Sequence, residues 1–297
     1  MKLPFDLPFA AGPEGPAADA GWTEAPARKG FFTDTSICIG CKACEVACKE
    51  WNGVPQDGIF ELLGSSYDNT GALGASTWRH VAFIEQPRRT PQPVDLGMPT
   101  VGRPEQDQDQ DFRWLMSSDV CKHCTNAACL DVCPTGALFR TEFGTVVVQD
   151  DVCNGCGYCV PACPYGVIER REGEPGVKNV GIAQKCTLCY DRLGAGKTPA
   201  CAQACPTESI QFGDLDELRE RAERRVAELR DRGEVDARLY GADPDDGVGG
   251  AGAFFLLLDE PEVYGLPPDP VAATRDLPAL WKRAAIAGVG LAAAAVA

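Results

Sequence analysis

Every cysteine of this chain falls into one of four tight groups: Cys38, Cys41, Cys44 and Cys48; Cys121, Cys124, Cys129 and Cys133; Cys153, Cys156, Cys159 and Cys163; and Cys186, Cys189, Cys201 and Cys205. Sixteen thiols so placed must converge on shared objects, and the fold has to be built around them. A short C-x2-C-x2-C loop wraps three thiolates around one corner of an iron-sulfur cubane, and a cysteine three residues further on reaches a neighbouring cluster. The run Cys153-x2-Cys156-x2-Cys159-x3-Cys163-Pro164 fits that two-cluster ferredoxin rule in full. Four groups of four therefore read as four 4Fe-4S clusters, and the whole as a conductor of electrons.

Other uses of the thiols fit less well. Disulfide frameworks belong to small exported chains, and repeated C-x2-C spacings set thiols too close in sequence for independent bridges. Cys186-x2-Cys189 with Cys201-x3-Cys205 resembles a four-thiolate zinc site, which would make this a zinc-binding scaffold without a redox role. The third cysteine of the other groups, and Pro134, Pro164 and Pro206 after three of the groups, favour clusters. A thioredoxin-type pair would not recur four times.

A length of 297 residues and 44% hydrophobic content permit a packed core. Much of that interior must be inorganic, so folding is expected to depend on metal. A net charge of -15 argues against nucleic acid, which selects basic faces. The two histidines, His80 and His123, and the lack of C-x2-C-H offer little for haem. No nucleophile stands beside a base, so no substrate site is expected. Lys42, Lys122 and Lys185 adjoin cluster ligands and would tune reduction if held close. A solvated lysine on each loop is the simpler expectation.

Residues 1–30, rich in proline and lacking an apolar run of leader length, are expected to form an extended arm. A solvated insertion is expected over 61–113, ending in the acidic and amide-rich stretch Glu105 to Asp111. Short strands are expected at Gly144 to Val148 and Ser209 to Phe212, suiting the small antiparallel pairs of ferredoxin modules. A helix is written from Asp214 as N-cap through Leu215, Leu218, Ala222, Val226 and Leu229 to a stop at Gly233. Glu217/Arg221, Glu220/Arg224 and Glu228/Arg232 would support it as i,i+4 pairs. A buried strand follows at Phe254 to Leu258. Gly247-x-Gly249-x-x-Gly252 matches a dinucleotide fingerprint by letter but leads toward a strand, and Gly196-Lys197-Thr198 lacks the first glycine of a phosphate loop. Trp281, Lys282 and Arg283 suit an interfacial collar before an uncharged run, Ala284 to Ala297, shorter than the roughly 20 residues of a membrane span, so a membrane anchor is expected, with a helix docked on protein as the alternative.

The segments Cys38 to Asn52, Val120 to Leu138, Cys153 to Val167 and Lys185 to Gly213 resemble the iron-sulfur beta subunits of the molybdopterin oxidoreductases, the DMSO reductase superfamily. Arg225 to Gly233, the Gly247 loop and Tyr264 to Pro270 point within it to the beta subunit of respiratory formate dehydrogenase. The resemblance implies an α+β fold of two pseudo-symmetric ferredoxin-like two-cluster modules, loop-rich, with a bracing helix and a C-terminal helix serving as a membrane anchor. The core would span 31–213, pairing 31–60 with 180–213 in one module and using 114–179 for the other. The bracing helix, strand and linker would occupy 214–275, and the terminal helix 276–297.

The same resemblance implies how ligands are shared. Cys38, Cys41, Cys44 and Cys205 would hold the first cluster, and Cys48, Cys186, Cys189 and Cys201 the second. Cys121, Cys124, Cys129 and Cys163 would hold the third, and Cys133, Cys153, Cys156 and Cys159 the fourth. Some relatives replace one ligand of the third group and hold three irons; Cys156 is present here, so all four are expected to be 4Fe-4S. Lys49 stands where other groups have Pro, without effect on ligation. The implied role is an electron-transfer subunit linking a molybdopterin catalytic subunit, oxidising formate, to a membrane cytochrome b or quinone-reactive subunit. Nitrate, DMSO, polysulfide or hydrogenase-type complexes are the alternative setting. The implied location is the cytoplasmic membrane, on its outer face, with export signalled on the catalytic subunit. Lys282 and Arg283 argue for the cytoplasmic side.

Overall fold

The computed structural model describes residues 15–57, 70–87, 112–173 and 176–296. Much of the expected insertion over 61–113, and the first half of the expected arm, lie outside the described residues. The described part opens with helix α1 (Pro16–Asp19) and strand β1 (Lys29–Asp34), and the first cysteine loop leads into α2 (Ala43–Asn52). A long hairpin, β2 (Arg79–Pro87) and β3 (Phe112–Val120), precedes the second and third cysteine groups, which are carried by α3 (Ala128–Asp131), β4 (Leu138–Arg140), β5 (Val146–Val148) and α4 (Cys159–Ala162). After β6 (Glu169–Arg170) and β7 (Ala183–Gln184), α5 (Tyr190–Gly194) and α6 (Ala200–Gln203) carry the fourth group. The remaining elements are β8 (Ile210–Asp214), α7 (Leu215–Asp231), β9 (Arg238–Tyr240), β10 (Ala253–Leu257) and α8 (Leu277–Val296).

One four-stranded sheet, ordered β8-β1-β10-β9, walls off the cysteine core. β1 lies parallel to β10, pairing Phe32 with Phe254, and antiparallel to β8. Strands with both faces covered read as unbroken apolar runs, and the period of two sorts their side chains. Phe31, Phe255 and Leu257 face the interior with Cys44, Cys48, Cys121, Cys186 and Cys201. Phe32, Phe254 and Leu256 face the opposite way, onto Leu215, Leu218, Ala222, Val226 and Leu229 of α7. The Ser209 to Phe212 segment thus joins this sheet as β8 and does not form a local ferredoxin pair, because β1 offers it a fully buried partner. Gly30 is needed where β1 crosses the approach to β10, since a Cβ there would lie 2.2 Å from the Gly252 carbonyl.

Two details of α7 depart from the sequence expectation. Asp214 occupies the cap position without capping, because its carboxylate pairs with Lys29. Of the three i,i+4 pairs only Glu220–Arg224 forms, at 3.9 Å. Arg221 reaches Gln211 instead, and Arg225 turns to the buried Asp34 carboxylate at 3.0 Å. Residues 15–28 do not lead away from the core as an arm: Trp22 donates to the Arg140 carbonyl at 2.9 Å, and Arg28 to Thr125 Oγ1 and the His123 carbonyl. The Gly247 loop leads into β10, as the strand reading of that motif requires, and it braces the second cysteine group. The N–H groups of Thr125 and Asn126 donate to its Gly250 and Val248 carbonyls at 3.0 and 2.8 Å.

Candidate metal centres

The same backbone device recurs in all four cysteine groups. The residue immediately before the second cysteine is left-handed in each: Gly40 (φ 64°), His123 (φ 45°), Gly155 (φ 73°) and Leu188 (φ 56°). Glycine enters this region freely, whereas His and Leu occupy it at a cost and persist there only when their surroundings hold them. Leu188 is fully buried and His123 nearly so, which supplies that hold.

Helices then carry the later cysteines across to a partner group. α2, bearing Cys44 and Cys48, packs on α6, bearing Cys201; α3, bearing Cys129, packs on α4, bearing Cys159. The first and fourth groups are thereby interleaved, as are the second and third. One cleft is lined by Cys38, Cys41, Cys44 and Cys205. Another is lined by Cys121, Cys124, Cys129 and Cys163. Among the described residues no group of three or more His, Cys, Asp or Glu gathers closely enough for a single metal ion. A zinc site would need four thiolates at about 2.3 Å from one point.

Thiol electrostatics complete the grouping. Burial pushes Cys48 up, and Cys186, Cys201 and Cys189 push it further. Cys159 is pushed up to about 11 by burial and by Cys153, Cys133 and Cys156. Further neighbours are Cys44 with Cys201, Cys186 with Cys121, and Cys129 with Cys159. These thiols link the first cysteine group to the fourth, the fourth to the second, and the second to the third.

Charged and polar groups lie beside these thiols, and cysteine spacing marks neither Arg79, Ser118 nor Asn52. Arg79 is buried, with Nη2 3.3 Å from Cys201 Sγ and its guanidinium 4.9 Å from the centre of the Phe31 ring. Burial opposes its charge, yet Cys201, Cys44 and Cys186 hold its pKa above the usual value. Ser118 Oγ lies 3.3 Å from Cys44 Sγ, and Asn52 Nδ2 lies 3.7 Å from Cys48 Sγ. Lys122 and Lys185 are not the solvated lysines expected, being 1% and 2% exposed. Lys42 is half-buried and lies 3.5 Å from Glu45. His123 accepts from the Val146 N–H at 3.1 Å, and burial together with Lys185, Arg140 and Arg28 keeps its imidazole well below the usual pKa. Only burial reveals these roles; no spacing in the sequence marks Arg79 or His123.

Residues 37–137 and 112–215 each match a family described as a 4Fe-4S dicluster domain. The chain is 38% identical to the formate dehydrogenase iron-sulfur subunit of Haemophilus influenzae, over 95% of this chain and 85% of that one. It is 38% identical to the nitrate-inducible formate dehydrogenase iron-sulfur subunit of Escherichia coli, over 84% and 76%. The B subunit of the anaerobic dimethyl sulfoxide reductase of Escherichia coli is 36% identical, over 65% of this chain and 76% of that one. Two dicluster domains and sixteen cysteines together amount to four 4Fe-4S clusters.

Proposed function

This protein belongs to the family of formate dehydrogenase iron-sulfur subunits, and from that premise we propose that it conducts electrons from a formate-oxidising molybdopterin subunit to a membrane quinone-reactive or cytochrome b subunit. The observation that carries the reading is the chain of neighbouring thiols that links all four cysteine groups. Each bound cluster would take up and pass on one electron at a time. The protein's own residues hold the clusters in register, keep water from the inner ones, and set the charge around them. Cys38, Cys41, Cys44 and Cys205 are proposed as ligands of the first, and Cys48, Cys186, Cys189 and Cys201 of the second. Cys121, Cys124, Cys129 and Cys163 are proposed for the third, and Cys133, Cys153, Cys156 and Cys159 for the fourth. The two cavities and the neighbouring thiols support this sharing.

The ends of the row supply the docking faces of the proposal. Cys41 is exposed with Ile39 and Val46 beside the first quartet, and Cys156 with Tyr158 beside the fourth. The first face is assigned to the catalytic subunit and the second to the membrane subunit, leaving bond-making to another polypeptide. Helix α8 exposes Leu280, Trp281, Ile286 and Val289 and is assigned to membrane or membrane-subunit contact on the outer face. Among the described residues no helix is long and apolar enough to cross a membrane. Formate added to the purified complex is expected to bleach the clusters' visible absorption. Clusters reduced by dithionite but not by formate would contradict the formate assignment and favour the DMSO-type setting.

A further inference from the structure

The third quartet is set apart from the others by buried positive charge. Lys185 is 2% exposed, and its ammonium donates to the Val146 and Cys186 carbonyls. Arg140, 8% exposed, donates to the carbonyls of Gly144 (2.9 Å), Cys124 (3.0 Å) and Thr125 (2.7 Å). Arg28, half-buried, adds a third cation, bonded to Thr125 Oγ1 and the His123 carbonyl. Lys122 is a fourth, but Asp119 pairs with it. Among the described residues none of the first three forms an ion pair with a carboxylate, and carbonyl dipoles do not cancel a full charge. A buried cation without a counter-ion is strongly unfavourable. Lys122 and Lys185 line the cavity of Cys121, Cys124, Cys129 and Cys163, and Arg140 grips the backbone of the same loop. The counter-ion that suits these cations is an anionic thiolate cluster in that cavity.

Among the described residues the first and fourth quartets have no comparable surroundings. Lys42 beside the first is matched by Glu45, and burial of Cys38 is compounded by Cys205 and Cys41. Cys153 and Cys133 of the fourth are half-exposed and Cys156 exposed. The second shares the guanidinium of Arg79 with the first and has the Lys185 ammonium on its Cys186 carbonyl, whereas Arg140 and Arg28 bond to the Cys121–Cys129 loop alone among the cysteine loops.

One-electron reduction adds a negative charge to a cluster, and nearby buried cations favour that added charge. We propose that Lys185, Arg140 and Arg28 make the cluster of Cys121, Cys124, Cys129 and Cys163 the most easily reduced of the four, the resting place of an electron on this protein. The inference rests on the ligand sharing proposed above. An electron arriving there leaves the second or fourth cluster oxidised by one, so the row has a well near one end and not an even slope. The three cations are positioning residues, acting through charge on the cluster and not on any substrate.

A potentiometric titration of the holo complex, followed by EPR at low temperature, tests this without reference to turnover. The first cluster reduced is expected to be the one whose signal is altered in Cys163→Ser. Lys185→Gln and Arg140→Gln are each expected to lower that midpoint alone, cutting the reduced-to-oxidised ratio at the wild-type midpoint about tenfold, which is 59 mV for a one-electron couple. Lys185→Arg, keeping the charge, is expected to restore most of it, and Arg224→Gln on the exposed face of α7 to move nothing. If Lys185→Gln does not assemble, Arg140→Gln and the order of reduction in the wild type decide. A different cluster reduced first, or midpoints unmoved in the assembled Gln variants, would overturn the proposal. A titration showing fewer than four couples in the wild type would instead contradict the cluster count itself.

Discussion

Arg79 Nη2 stands 3.3 Å from the sulfur of Cys201, and Cys44 and Cys186 also favour the charge of the same guanidinium. On the proposed ligand sharing, this one buried cation serves two quartets, the first and the second. Its other contacts, the Ser118 carbonyl at 3.1 Å and the face of Phe31, fix it in place. Arg79→Gln is expected to keep four clusters while lowering the midpoint of the first or second. The loss of a hydrogen bond to a charged group is of order 1.5–3 kcal/mol, or about 10- to 100-fold in the reduced-to-oxidised ratio. Redox titration checks it, and unchanged midpoints would show that Arg79 is packing alone.

Ligand exchange between groups gives a second expectation. Cys205 follows Cys201 by four residues yet lines the cavity of Cys38, Cys41 and Cys44. Cys205→Ser is expected to perturb the cluster of that cavity and leave the one held by Cys201 intact. EPR of the variant, compared with Cys186→Ser, checks it. Identical spectral losses in the two variants would mean that each group keeps its own cysteines.

Burial gives the thiols a clear pH signature. It pushes Cys44 up to about 11 and Cys129 up to about 12, against partial relief from Arg79 and Lys185 respectively. In the cluster-free protein a raised thiol favours the fold below its unfolded value near 9.0, and that contribution is lost as pH rises through about 11. Cluster assembly reverses the sign, because ligation requires the thiolate and expels the proton. Reconstitution in weak buffer is expected to acidify the solution, with incorporation improving as pH rises from 7 toward about 9. No proton release on assembly would contradict it.

The brace can be loosened without touching the wire. Leu218 is 1% exposed and packs with Phe32, Phe254 and Leu256 on the sheet face turned away from the cysteines. Leu218→Ala is expected to cost about 2–5 kcal/mol of stability, read by denaturant unfolding of the holo protein, with all midpoints unchanged. A shifted midpoint would show that α7 reaches the clusters electrostatically or through strain.

What the sequence disclosed follows the range of each physical signal. Cysteine spacing and the 3.6-residue period of Leu215 to Leu229 are local, so the clusters and α7 were both legible. The parallel pairing of β1 with β10 was not, since Phe32 and Phe254 are joined only by the finished core. The hairpin of β2 and β3 was hidden inside a segment whose polar, proline-rich middle reads as loop. Arg79, Lys122 and Lys185 look like surface residues in any window, and only their burial turns them into elements of the electrostatic design. Gly40 and Gly155 announce their left-handed turns, whereas His123 and Leu188 make the same turn unannounced.

The most direct test of the wire is the metal content of the purified protein together with its reduced spectrum. About sixteen irons and about sixteen acid-labile sulfides per polypeptide, with reduced clusters whose EPR signals broaden one another as neighbours in a row, is the expected result. Zinc without sulfide, or clusters that reduce as magnetically isolated centres, would contradict the account.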